Sequence, residues 1–160
     1  MSDNSNARIL NYLVYGVIAG VVSSIVNLIL HLLTSVINLG KYNHIDFYSH
    51  RFLGTPMGNP DLVGFYFISA IFGVVNGVML VIILFLLISK AGWERDLTRF
   101  LIVAIVFTAV FFPLVIMLIA SMAEFDLILD GVIFLIINAI TMCFAALMVY
   151  YLDGAFRSSS

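Results

Sequence analysis

The segment HIDFYSH, residues 44–50, brings together His44, Asp46 and His50, side chains of the kinds that hold zinc, copper or iron. Their spacing is not that of a helical metal site, in which two histidines stand four apart on one face; His44 and His50 are six apart. The third histidine, His31, lies in NLILHLL, four residues after Asn27 and inside a strongly apolar run. His31 and the acids Glu124, Asp126 and Asp130 complete a metal site with the 44–50 segment only if loops fold over the ends of the elements that carry them. The plainer reading of His44, Asp46 and His50 is a solvated segment anchored by its neighbouring aromatics.

A second chemistry follows from polar groups in apolar surroundings, which often mark function when they lie within a membrane. Asn27, His31, Asn138 and Asp130 are the residues that would line an ion or solute path, with His31 the one clearly ionisable group on the polar stripe of a span. The competing reading of the asparagines is structural, as hydrogen bonds between helices. Acyl-transfer triads, phosphate-cradling glycine loops and paired carboxylates within apolar runs are all missing from the sequence, so neither enzymatic activity nor a cofactor is expected. The single cysteine, Cys143, excludes an intrachain disulfide and reads as a small core residue. A net charge of −2 without a basic, aromatic-rich stretch argues against nucleic acid as a partner.

The elements that must position these residues follow from composition. Of 160 residues, 63% are hydrophobic and 10% charged, and the mean hydropathy is +1.17. Ordinary soluble domains are about 45–50% apolar and about 25% charged, so this chain is expected to be an integral membrane protein. The apolar runs cover residues 9–39, 62–88, 100–122 and 131–152, each near or above the roughly 20 helical residues that cross a bilayer core. A spanning backbone must satisfy its own hydrogen bonds, and the runs lack the alternation of a barrel strand. The expected fold is therefore all-α: one domain of four transmembrane helices in an antiparallel up-down bundle, with an outer loop over 40–61.

Asn59, Pro60 and Asp61 read as cap, first-turn proline and first-turn acid of the second helix, Lys90 and Gly92 as its end, and Asp96 as the cap of the third. The first span is far longer than a signal-peptide core and is expected to stay in the protein. Arg8, Lys90, Arg95, Arg99 and Arg157 fall on one side and only Lys41 and Arg51 on the other, which places both termini in the cytoplasm of a multi-pass cell-membrane protein.

On the first helix, Gly16, Gly20, Ser23, Asn27, His31, Thr34 and Asn38 follow one another at steps of three or four and form one face. Small residues let helices approach closely in a bilayer, where escape from water cannot drive them together. Ser69, Gly73, Asn76 and Gly77 on the second helix, and Asn138, Thr141 and Ala145 on the fourth, are the expected counterparts. Counting about 1.5 Å per residue inward from the outer ends of the helices brings Asn27 and Asn138 to similar depths, where they can meet. His31 is expected near the outer interface. The third helix is bulkier and carries Thr108 and Pro113, the latter expected to bend it.

The function this pattern supports is non-enzymatic. The protein would act through helix–helix association, as an accessory or stabilising subunit of a membrane complex or as a homo-oligomer, with the bilayer and other membrane subunits or copies of itself as partners. The alternative is a small channel or transporter for a cation or small polar solute, with an outer vestibule near His31, Asn27 and Asn138.

Overall fold

A computed structural model describes residues 3–37, 39, 49–50, 53–56, 59, 61–93, 95–120 and 129–158. Its four long helices are α1 (Asp3–Val36), α2 (Leu62–Ser89), α3 (Leu97–Ala120) and α4 (Leu129–Ser158). All four are long and apolar enough to cross a membrane.

The helix ends show local chemistry at work. Asp61, not Asn59, is the N-cap of α2: its backbone is extended and its Oδ1 accepts from the Gly64 N–H at 3.0 Å. The chain turns into the helix two residues later than the Asn-Pro signal suggests, because a carboxylate at 61 reaches the third amide beyond it. At the other end Gly92 takes a φ of 66°, which lets the Trp93 N–H turn back onto the Leu87 carbonyl. Asp96 caps α3 by accepting from the Thr98 N–H at 3.1 Å. Pro113 lies inside an unbroken α3, where its missing N–H leaves the Ala109 carbonyl without its helical donor.

Packing follows the order α2, α1, α4, α3: α1 lies extensively against both α2 and α4, and α4 against α3, whereas α2 touches α3 and α4 only in passing. The fully buried positions include the small residues Ala19, Ser23, Ala104, Ala145 and Ala146, and the core around them is filled by large side chains, among them Tyr12, Tyr15, Leu80, Phe100, Phe134 and Met142. The exterior is also apolar, including Phe67 (62% exposed), Ile71 (65%), Val110 (66%) and Leu114 (63%).

Candidate functional site

Glycines on α1 and α2 make a close helix contact. Gly16 and Gly20 face Gly77 and Gly73, a four-residue step on each helix. A Cβ added at Gly20 would stand 2.4 Å from the Gly73 carbonyl oxygen and 2.7 Å from Val74 Cα, and one at Gly77 would stand 2.4 Å from the Gly16 carbonyl oxygen. One at Gly73 would lie 2.6 Å from the Gly20 oxygen. Each neighbour is backbone, which cannot swing aside as a flexible side chain can. At Gly16 the clearance is slightly better, 3.0 Å to the Gly77 oxygen.

The polar members of the stripe are mostly satisfied along their own helices. Ser23 Oγ donates to the Gly20 carbonyl at 3.0 Å and Ser24 Oγ to Val21, while Thr34 Oγ1 donates to the His31 carbonyl at 2.9 Å. Asn76 is buried on α2, and Ser69 is half-buried. Toward α4, Asn27 Nδ2 donates to Thr141 Oγ1 over a long 3.5 Å, and Thr141 Oγ1 donates onward to the Ile137 carbonyl at 2.8 Å. Asn138 Nδ2 turns to the Phe134 carbonyl of its own helix at 2.8 Å. The expected meeting of Asn27 with Asn138 is thus replaced by Asn27 with Thr141. The register of α4 against α1 is shifted by three residues, about 4.5 Å of helical rise.

His31 is enclosed by the neighbouring helices and is only 3% exposed. Its ring stands edge-on to Phe65 of α2, with centroids 5.8 Å apart, and lies 6.5 Å from Phe134 of α4. The cause is the start of α2: capped at Asp61, the helix lays Phe65 across the imidazole. Of the residues proposed for a solute path, Asn27, His31 and Asn138 therefore lie between α1, α2 and α4, engaged with neighbouring groups, and the side chain of Asp130 lies outside the described residues.

The histidine-bearing segment before α2 is partly described. His44 and Asp46 fall outside the described residues. Ser49 is fully buried, its Oγ donating to the Asp61 carbonyl at 3.3 Å, and His50 Nδ1 donates to the Thr55 carbonyl at 2.7 Å. Gly54, with φ of 68°, closes this turn. One nitrogen of His50 is spent on that turn, and among the described residues no three metal-ligating side chains cluster.

The opposite end of the molecule holds an arrangement that sequence reasoning missed. Asp153, on the last turns of α4, is 4% exposed and accepts from the Tyr12 hydroxyl of α1 at 3.1 Å. Arg95, from the α2–α3 connection, brings its Nε to 3.0 Å from the same carboxylate oxygen. That N–H points off hydrogen-bond geometry, so the attraction is Coulombic. The guanidinium donates to the Tyr150 carbonyl and lies over the Tyr150 ring at 4.7 Å. Gly154 makes room, since a Cβ there would come within 3.2 Å of the guanidinium. Three separate parts of the chain are thereby joined at one carboxylate. The sequence signal was an acid, Asp153, directly after the final apolar run and close to two tyrosines; its partners are 58 and 141 residues away and nothing local points to them.

No known protein family, curated protein or solved structure matches this chain.

Proposed function

We propose that this chain is a non-enzymatic, multi-pass cell-membrane protein, an antiparallel up-down bundle that works through helix–helix association. Its role would be that of an accessory or stabilising subunit of a membrane complex, or of a protomer in a homo-oligomer. The observation that carries this reading is an exterior as apolar as the core, with Phe67, Ile71, Val110 and Leu114 exposed, around helices that glycines bring into close contact. Water would make that exterior unstable, whereas lipid tails or a neighbouring helix suit it. The small-residue stripe of α1 is used up within the chain, between α2 and α4, so contact with a partner falls to these large outer side chains. The polar groups that would serve a channel are engaged with helix carbonyls or one another, which favours packing over conduction.

Lysines and arginines set the orientation, with Arg8, Lys90, Arg95 and Arg99 on the cytoplasmic side. The test of topology replaces Cys143 and introduces a cysteine at Ala91 or at Asn59, both of them exposed. In intact cells an impermeant thiol reagent should label Asn59→Cys and spare Ala91→Cys; the reverse pattern would invert the protein. Function is tested by extraction in mild detergent, where a fixed assembly, of this chain alone or with a defined membrane partner, is expected. A monomer that conducts ions in proteoliposomes and loses conduction on His31→Gln would replace this reading with that of a solute path.

A further inference from the structure

Because α2 hardly touches α3, a cleft of about 420 Å³ opens between them. Ile83 and Leu87 of α2 form one wall, Val106, Val110 and Leu114 of α3 the other, and Trp93 closes one end. The lining presents almost no polar surface. On α3 it runs from Ile102 to Leu114, about 18 Å of helical rise, close to the roughly 15 Å depth of one leaflet of a bilayer core. A transmembrane helix needs twice that length to be accommodated; a single acyl chain fits it.

The closed end carries charge. The Arg99 guanidinium lies over the Trp93 ring, 5.4 Å from its centroid, and Lys90 is exposed one turn of chain away. Among the described residues neither cation forms an ion pair, and the nearby carboxylate of Asp96 is engaged in capping α3. Arg95, from the same connection, is committed to Asp153. An apolar slot one leaflet deep, with a tryptophan at its closed end and two cations beside it that form no ion pair among the described residues, is complementary to a lipid whose headgroup is negative.

We propose that the α2–α3 cleft binds one anionic phospholipid, its acyl chain lying along Val106, Val110 and Leu114 and its phosphate held by Arg99 with help from Lys90. Arg99 keeps N–H donors for the phosphate while its face rests on Trp93. This inference rests on the membrane reading above.

Trp93 is the only tryptophan, so its fluorescence reports the cleft directly. The full chain is reconstituted into phosphatidylcholine bilayers containing increasing fractions of either phosphatidylglycerol or phosphatidylcholine brominated close to the ester, bromine being a contact quencher. Brominated phosphatidylglycerol is expected to reach half-maximal quenching at about fivefold lower mole fraction, roughly what one basic residue contributes toward an anionic headgroup. Arg99→Gln should bring the two curves together, Arg99→Lys should keep most of the separation, and raised salt should narrow it. Comparing the two lipids within each variant cancels any change in baseline emission. Coincident curves for the unaltered protein, or a separation that survives Arg99→Gln combined with Lys90→Gln, would overturn the proposal. So would quenching by neither lipid, or protection of Trp93 that grows with protein-to-lipid ratio, which would put a second copy in the cleft. Failure of the membrane reading itself would appear earlier, as protein that does not float with the vesicles.

Discussion

The two long sides of α2 are built on opposite principles. Facing α1 it presents Gly73 and Gly77 so closely that no Cβ fits, and facing α3 it presents Ile83 and Leu87 across an open cleft. Both sides are apolar, so hydrophobicity does not distinguish them. What does is side-chain volume: in a lipid solvent, helices gain from contact only as far as their backbones can approach and pack better than lipid does. Glycine allows that approach, whereas a ridge of branched residues on each of two helices leaves gaps that lipid can fill.

The most severe way to break this contrast is to give the tight side the bulk of the loose one. Gly20→Leu or Gly77→Leu should cost about 3 kcal/mol or more, enough to reduce recovery of folded protein, because the obstacle is backbone. Val75→Ala on the exposed face of α2 should change the unfolding free energy in detergent by less than about 0.5 kcal/mol. Similar tolerance at both kinds of position would show that α1 and α2 do not depend on close approach.

A slightly smaller loss is expected from the polar junction at the arginine-rich end. Asp153→Ala deprives the Tyr12 hydroxyl of an acceptor and the Arg95 guanidinium of its counter-charge and should destabilise by roughly 3 kcal/mol, since stripping one member from a largely buried ion pair strands the other. Arg95→Gln should cost about as much, because it removes the counter-charge of a carboxylate that is only 6% exposed, whereas an unpaired Arg95, 22% exposed, can turn toward solvent. Unfolding of the double variant Asp153→Ala with Arg95→Gln should be milder than the sum of the two single changes; strict additivity would mean that the two groups do not interact.

At the histidine end the effects shrink further. His31→Gln keeps polarity but loses the edge-on contact with Phe65, at an expected cost of about 1 kcal/mol in thermal unfolding. Asn27→Ala removes one long interhelical hydrogen bond and should cost about 0.6 kcal/mol. A larger loss for Asn27→Ala than for His31→Gln would show that the amide, rather than the aromatic packing, sets the spacing of α1 and α4.

The helices and the glycine contact between α1 and α2 were legible in the sequence because both depend on local repetition. Runs of Leu, Ile and Val state where a backbone must satisfy itself, and steps of three and four among Gly16, Gly20, Ser23 and Asn27 state which side of α1 is thin. Even the caps follow from residues within three positions of the turn, although the choice between Asn59 and Asp61 depended on which one reached the free amide. The partners across the bundle are another matter. That Asn27 meets Thr141 instead of Asn138, that Phe65 seals His31, and that Tyr12 and Arg95 converge on Asp153 all depend on how far each helix slides and turns against its neighbours. No local pattern encodes that quantity, because it is settled by the sum of all contacts along three interfaces at once. The cleft beside Trp93 belongs to the same class: it exists because α1 takes the thin side of α2 and α4 takes α3, leaving the two remaining surfaces too bulky to close on each other.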